Sequence, residues 1–210
     1  MEKEQTKVPQ VKMLIIGDQA VGKSSLLMRF IDEKFSLSMM GTAGVDMKKK
    51  VIENNNQKIN FLFYDSAGHD RFRHLTKQHY QGSKGIILAY DVTDKKTFDN
   101  VDGWINSIKE NADSNAEMII IGNKIDLTDR AVTTDDAKEL HNKHGIEVFE
   151  ASAKSGENVK EAFLKLIDNI LKNEKLNQEI IKKEKPKDDN LSLPKENGST
   201  TKTKKSCLCG

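Results

Sequence analysis

The chain has 210 residues, enough for one domain of common size with a tail or for two small domains, and we expect one. Its 34 basic and 32 acidic residues nearly cancel to a formal charge of +2, so there is no chain-wide field of the kind that binds nucleic acid. The first residues are charged and lack the apolar segment of a signal peptide, and no stretch approaches the length of a membrane-spanning helix. We therefore expect a cytosolic protein without a nucleic-acid partner.

Apolar runs alternate with helical patterns along the chain. The run VKMLIIGD from residue 11 ends at a glycine, as a buried parallel strand does, and VGKSSLLMRFIDEKF from residue 21 has helical spacing. Residues 45–65 predict an antiparallel hairpin with its turn at 54–56. Further strands are predicted at 85–92, 116–124 and 146–152, and further helices at 73–80, 97–112, 133–144 and 157–173. This alternation predicts an α/β fold with a doubly wound, mostly parallel sheet of six strands, one antiparallel edge strand and about five helices.

The composition changes near residue 174. From residue 174 onward, nine lysines and six acidic residues are mixed with Asn, Ser, Thr and Pro, and few apolar residues remain to form a core. We expect residues 1–10 to be flexible, residues 11–173 to form one domain and residues 174–210 to be a disordered tail. Both cysteines, Cys207 and Cys209, lie in this tail, where they cannot cross-link a core or complete a zinc site.

The strongest motif is GDQAVGKS at residues 17–24, which fits G-x-x-x-x-G-K-[ST] between a predicted strand and a predicted helix. Gly17 and Gly22 let the backbone curl so that N–H groups point at phosphate oxygens. Lys23 is expected to reach the β- and γ-phosphates, and the Ser24 hydroxyl to bind Mg²⁺. The segment predicts a nucleotide-binding P-loop, with a chance glycine-rich turn as the alternative. Nucleotide contacts are assigned to Gly17, Asp18, Gln19, Ala20, Val21, Gly22, Lys23, Ser24 and Ser25.

Two later motifs, NKID at 123–126 and SAK at 152–154, indicate guanine as the base. Asp126 can accept hydrogen bonds from N1–H and the 2-amino group of guanine, whereas adenine offers neither donor, and an unpaired buried carboxylate lowers affinity by on the order of a hundredfold. Asn123 is expected to tie its loop to the P-loop. NKID alone is more often a turn or a helix cap, so the order of the motifs carries the assignment. Base contacts are assigned to Asn123, Lys124, whose stem would lie on the base, Asp126, Ser152, Ala153, whose N–H would face O6, and Lys154.

The motif DSAG at residues 65–68 supplies the remaining chemistry. Asp65 ends a predicted strand and is expected to hold Mg²⁺ through water, and Gly68 is expected to offer its N–H to the γ-phosphate. Thr42 is the candidate second hydroxyl on Mg²⁺, although its spacing alone favours a turn residue before a strand. The expected ligands are thus GTP as substrate, GDP as product and Mg²⁺ as cofactor. A P-loop kinase or ATPase is a more distant alternative.

In order and spacing, these segments resemble the Rab family of the Ras superfamily of small GTPases over residues 11–173. The matching stretches are GDQAVGKSSLLMRF, AGVDMKKK, YDSAGHDRFRHLT, HYQGSKGIILAYDVTDKKTFDNV, GNKIDL and ASAK. The resemblance implies a monomeric switch that hydrolyses GTP slowly and recruits effectors in vesicle traffic. It also implies control by exchange factors, activating proteins and a dissociation inhibitor or escort protein. It further implies switch segments at 34–46 and 65–80, Thr42 on Mg²⁺, and Phe35 edgewise on the guanine.

The chain departs from the Rab pattern in both switch segments. Rab proteins usually have I-G-V-D-F where this chain has Ala43 and Met47, and W-D-T-A-G-Q-E where it has Tyr64, Ser66, His69 and Asp70. The patch through which Rab proteins usually meet effectors includes positions 43, 47 and 64. The resemblance therefore does not identify the effector.

His69 stands where the family places the glutamine that orients the attacking water. A neutral imidazole offers one donor and one acceptor on a shorter, rigid ring, so we expect slow intrinsic hydrolysis. The resemblance assigns catalysis to His69, Lys23 and Gly68. The alternatives are an ordinary surface histidine and a GTP-binding scaffold that hardly hydrolyses.

The tail ends in CLCG, in which Cys207 and Cys209 resemble the Cys-x-Cys terminus that carries two geranylgeranyl groups in Rab proteins, although Gly210 follows here. One prenyl group on Cys207, as in a C-a-a-X motif, and two unmodified thiols are the alternatives. One lipid chain binds a bilayer only marginally at about 0.8 kcal/mol per buried CH₂, whereas two chains, or one chain with lysines, give a stable anchor. We expect the protein on the cytoplasmic face of an intracellular membrane, with a cytosolic pool.

Overall fold

The computed structural model describes residues 8–36, 42, 44–54, 57–66, 79–173 and 178. Three parallel strands form the centre of a sheet: β1 (Gln10–Gly17), β4 (Gly85–Asp91) and β5 (Glu117–Asn123). β4 is buried along its whole length, and β1 is buried at every position except Gln10 and the half-buried Lys12. Continuous apolar runs of this kind form strands that are covered on both faces.

The remaining strands extend the sheet to the order β2-β3-β1-β4-β5-β6. The hairpin strands are β2 (Val45–Asn54) and β3 (Gln57–Ser66), and β6 (Glu147–Glu150) forms the opposite edge. β2 is antiparallel to β3, and all other pairs are parallel. The predicted six-stranded, mostly parallel sheet with one antiparallel edge strand is confirmed.

Helices cover both faces of the sheet. The helices of the described residues are α1 (Lys23–Asp32), α2 (Lys95–Asp99), α3 (Val101–Asn111), α4 (Thr134–His144) and α5 (Val159–Lys172). One core cluster joins α1 and α5, where Phe30 stacks on Phe163 with ring centroids 4.4 Å apart. The second cluster, on the other face, includes Trp104 of α3 and Leu140 of α4. Within the described residues, no helix combines the length and the apolar character needed to cross a bilayer.

The predicted helix at 97–112 was wrong in its bounds. Helical structure begins at Lys95, because the side chain of Asp94 accepts a hydrogen bond from Lys96 N and caps the first turn. Asn100 then ends α2 and precedes α3. Of the helix predicted at 73–80, only residues 79 and 80, which are helical, belong to the described part of the chain.

The pairing of the strands places the site. In register, Ile15 of β1 lies beside Asp65 of β3, Gly17 lies beside Ala89 of β4, and Asp91 lies beside Asn123 of β5. The carboxyl ends of these strands therefore meet at one edge of the sheet, where ligands bind in open α/β folds.

Candidate functional site

The P-loop, residues 17–24, depends on glycine at both ends. Gly17 has φ +135°, and a Cβ there would lie 2.1 Å from the carbonyl oxygen of Ala89. Gly22 has φ +93°, and a Cβ there would lie 2.3 Å from Asn123 Nδ2. A side chain at either position would be strained and would displace a neighbouring strand or loop. Gln19 and Ala20 are exposed between these ends, and Ser25 follows half-buried in α1.

Lys23 lies inside this loop and is almost completely buried. Its Nζ donates to the backbone oxygens of Gly17, at 3.0 Å, and Asp18, at 2.7 Å. Burial lowers the pKa of Lys23 to about 8, and the carboxylates of Asp65 and Asp18 oppose this shift. The ammonium is therefore held at the centre of the P-loop, where a phosphate would contact it.

Beside Lys23 lies a hydroxyl–carboxylate cluster that consists of Ser24, Thr42 and Asp65. Ser24 is the second residue of α1, Asp65 is the second-last residue of β3, and Thr42 precedes β2. Ser24 Oγ lies 2.8 Å from Thr42 Oγ1 and donates to Asp65 Oδ2, and Thr42 Oγ1 donates to the same oxygen at 3.4 Å. The structure thus brings together the three residues that were predicted to bind the metal.

The cluster fits a hard divalent cation. Asp65 is 2% exposed, and its Oδ1 has no hydrogen-bond partner among the described residues. Burial raises the pKa of Asp65, against hydrogen bonds from Ser24 and Thr42 and the charge of Lys23. A buried carboxylate with one unused oxygen and two adjacent hydroxyls is the oxygen-rich donor set that Mg²⁺ prefers.

The two base loops, 123–126 and 152–154, are joined to each other and to the P-loop by one amide. Asn123 is 1% exposed, its Nδ2 donates to Val21 O at 2.8 Å, and its Oδ1 accepts from Ala153 N at 3.0 Å. This single side chain links the ends of β1, β5 and β6. Asn123 therefore fixes the position of the P-loop relative to the two base loops.

Asp126 is oriented by the neighbouring base loop. Ser152 Oγ donates to its Oδ1 at 2.6 Å, and Lys154 Nζ lies 3.5 Å from its Oδ2. The side chain of Asp126 is 16% exposed. Burial alone would raise the pKa of Asp126. Hydrogen bonds from Ser152 and from its own backbone, together with the charge of Lys154, outweigh burial and lower the pKa. The carboxylate is ionised at neutral pH and suited to accept hydrogen bonds from a base.

Comparison with known proteins assigns this geometry to a family. The sequence family model for the Ras family matches residues 12–172 of the chain. The chain is 39% identical over 194 residues to the Ras-related protein SEC4 of Saccharomyces cerevisiae, which covers 92% of this chain and 89% of that protein. It is 44% identical over 161 residues to the Ras-related protein Rab-13 of Canis lupus familiaris, covering 76% of this chain and 79% of that protein. It is 43% identical over 170 residues to the Ras-related protein Rab-8B of Homo sapiens, covering 80% and 81% respectively.

The chain belongs to the Rab group of the Ras family. This Rab protein is accordingly a small GTPase, and its family implies GTP and GDP as ligands and regulators and effectors as its kinds of partner.

Two assigned base contacts have other partners in this Rab protein. Lys124, at φ +73°, places Nζ 2.5 Å from Asp91 Oδ2, so its charge is paired with that carboxylate. Phe35 is half-buried and packs against the core cluster of α1 and α5. Gly68, His69, Cys207 and Cys209 lie outside the described residues, and their roles remain predictions.

Arg29 of α1 contacts the second base loop, although no sequence motif indicated it. Its Nε donates to Ala153 O at 2.9 Å and its Nη2 to Lys154 O at 2.8 Å, while its Nη1 donates to Glu33 O at 2.7 Å. The guanidinium therefore supports the base loop at 152–154 through two of its backbone oxygens. Its two partners in the base loop, Ala153 and Lys154, lie more than 120 residues away in the chain, so no local pattern indicates these contacts.

Proposed function

We propose that this Rab GTPase is a membrane-anchored switch that binds GTP and GDP with Mg²⁺, hydrolyses GTP slowly to GDP and recruits effectors in intracellular vesicle traffic. The observation that carries the proposal is the convergence of the hydroxyl–carboxylate cluster on the P-loop lysine. The tie from Asn123 to both the P-loop and the second base loop supports a single nucleotide across these parts. The trafficking role rests on the Rab resemblance.

In this proposal, the P-loop N–H groups and Lys23 bind the phosphates, and Asp126 selects guanine. Ser24, Thr42 and Asp65 would hold Mg²⁺, which when bound neutralises charge on the β- and γ-phosphates. Thr42 precedes β2 and Asp65 lies near the end of β3, so both are at the open end of the hairpin, next to the site. Loss of the γ-phosphate would remove one interaction from the switch segment at 34–46 and one from the switch segment at 65–80. The surfaces of these segments would therefore differ between the GTP and GDP states.

The outer face of the hairpin supports an effector surface. Met47 is 51% exposed and Val51 is 49% exposed on β2. In register, Met47 lies opposite Tyr64 of β3, whose ring has Lys12 Nζ 5.3 Å from its centroid. Exposed apolar side chains rimmed by charge are typical of protein-binding surfaces. Because positions 47 and 64 differ from the usual Rab residues, we expect an effector that differs in the side chains it presents there.

The switch is tested by single-turnover hydrolysis with purified, GTP-loaded full-length protein, with and without a Rab-type activating protein. Stimulated turnover would exclude the alternative of a weakly hydrolysing scaffold, which the histidine at position 69 favours. We expect His69→Gln to accelerate intrinsic hydrolysis, because a glutamine amide can accept from the water and donate toward the phosphate together. An unchanged or lower rate in that variant would refute this role of His69.

Specificity for guanine is tested by competition of ATP and of GTP against labelled GDP. GTP is expected to displace the label and ATP is not, because adenine offers Asp126 no donor. Displacement by ATP at similar concentrations would favour a P-loop kinase or ATPase instead.

The anchor is tested by localising the intact protein beside a Cys207→Ser, Cys209→Ser double variant. The wild type is expected on an internal membrane and the double variant in the cytosol. Mass spectrometry of the C-terminal peptide would distinguish two prenyl groups from one and from free thiols. A diffuse wild type would contradict the anchoring proposal.

A further inference from the structure

The carboxylate of the P-loop residue Asp18 is bound by two side chains from outside the P-loop. Asn100 Nδ2 donates to Asp18 Oδ2 at 2.6 Å, and Trp104 Nε1 donates to Asp18 Oδ1 at 2.8 Å. Both carboxylate oxygens are therefore engaged by residues more than 80 positions downstream. Neither donor belongs to the assigned phosphate, metal or base contacts.

The two donors are held rigidly. Trp104 is 5% exposed and belongs to the core cluster that also contains Tyr90. The backbone N–H of Asn100 donates to Lys96 O at 3.1 Å, and its carbonyl accepts from Trp104 N at 3.1 Å. Asn100 and Trp104 are thus one helical turn apart, a spacing that presents both side chains on the same side of α3.

Asp18 also contributes to the position of the phosphate-binding lysine. Its backbone oxygen accepts from Lys23 Nζ at 2.7 Å, while its side chain accepts from Asn100, which precedes α3, and from Trp104 of α3. The residue that helps to place Lys23 is therefore itself placed by α3. Hydrogen bonds to a charged acceptor are roughly twice as strong as neutral ones, so this attachment resists displacement.

We propose that Asn100 and Trp104 are positioning residues that hold the first turn of the P-loop, through the carboxylate of Asp18, in the conformation that retains the nucleotide. This inference rests on the proposed function, because it takes the P-loop as the phosphate site. If either donor is lost, the Asp18 carboxylate loses one of these two hydrogen bonds, and its backbone can move together with Lys23. Nucleotide is then released faster although every residue that contacts it is intact.

The test measures the dissociation rate of a fluorescent GDP from full-length protein in excess Mg²⁺. Asn100→Ala and Trp104→Phe each remove one donor, and each is expected to accelerate release about tenfold. The control is Asn111→Ala at the other end of α3, where Asn111 Nδ2 donates to Ser107 O at 2.7 Å. This control is expected to stay within about twofold of the wild-type rate.

An exchange of partners separates positioning from a general loss of stability. Asn100→Asp places two carboxylates together and is expected to give the fastest release. Adding Asp18→Asn restores an amide–carboxylate pair with donor and acceptor exchanged. We expect this double variant to release GDP at least tenfold more slowly than Asn100→Asp alone, at a rate closer to that of the wild type. Trp104 is the single tryptophan of the sequence, so its emission reports this contact directly and is expected to change when EDTA removes the nucleotide.

The outcomes are distinguishable. Faster release in Asn100→Ala with rescue by the exchanged pair supports the inference. Wild-type release rates in Asn100→Ala, or an exchanged pair as fast as Asn100→Asp alone, would overturn it while the proposed function stands. A wild-type protein that fails to retain labelled GDP would overturn both. Since Trp104→Phe can impair folding, the comparison of Asn100→Ala with the exchanged pair decides the question.

Discussion

Replacing Asn123 by alanine removes the amide that joins three loops of the site. Two buried backbone groups lose their partners, the carbonyl of Val21 and the N–H of Ala153. Each unsatisfied group costs about 1–3 kcal/mol, so the free energy of unfolding is expected to fall by about 2–6 kcal/mol. Since domains of this size are stable by about 5–15 kcal/mol, this is a large fraction of the total. A water molecule in the space left by the amide would move the loss toward the lower limit.

The assay is urea unfolding of the nucleotide-free protein followed by circular dichroism, together with the rate of GDP release. Asn123→Asp keeps an acceptor for the Ala153 N–H but cannot donate to Val21 O, and is expected to lose stability as well, because it turns a carboxylate toward a carbonyl. The control is Asn111→Ala, which removes one half-buried bond and is expected to cost less than about 1 kcal/mol. If Asn123→Ala costs no more than this control, the reasoning from buried, unpaired backbone groups is refuted.

Three further variants test separate parts of the structure. Arg29→Lys keeps the charge but loses the planar guanidinium that donates to both Ala153 O and Lys154 O. We therefore expect the release of fluorescent GDP to accelerate roughly tenfold. An unchanged rate would contradict a role of Arg29 in supporting the base loop. Tyr90→Phe removes a buried hydroxyl that has no partner among the described residues, so urea unfolding is expected to show stability unchanged or raised by up to about 1 kcal/mol, and a clear loss would show that the hydroxyl is satisfied. Asp136→Asn weakens the capping box of α4, in which hydrogen bonds from Thr133 lower the pKa of Asp136 to about 2, below the unfolded value of 3.8. Its deficit in Tm is therefore expected to be constant above pH 5 and to shrink as the pH falls from about 4 toward 2, whereas a deficit independent of pH would point to packing instead.

The centre of the sheet could be predicted because its strands β1, β4 and β5 are largely buried. β1, β4 and β5 are continuous apolar runs, and each is followed by a polar segment that marks its carboxyl end. The boundary between α2 and α3 could not be predicted from periodicity alone. The apolar pattern continues across Asn100, whereas the actual start of helical structure is set by the cap at Asp94.

The sequence pointed to residues that lie together at one edge of the sheet, but not to the side chains that support them. Motif spacing indicated Ser24 and Asp65, and the Rab resemblance added Thr42; the three side chains meet within hydrogen-bonding distance. The contacts of Arg29 with the second base loop, and of Asn100 with Asp18, join segments that are far apart in the chain. Such contacts arise from the packing of α1 and α3 on the sheet, and no local pattern encodes them.

The β2–β3 hairpin offers a place for a label. Its pairing runs without interruption from Val45 opposite Ser66 to Asn54 opposite Gln57. At about 3.3 Å per residue, the far end of the hairpin lies roughly 30 Å from the nucleotide edge of the sheet. An epitope or small fluorophore inserted between Asn54 and Gln57 would leave Cys207 and Cys209 unblocked. The protein could then be followed in living cells without a fusion at either terminus.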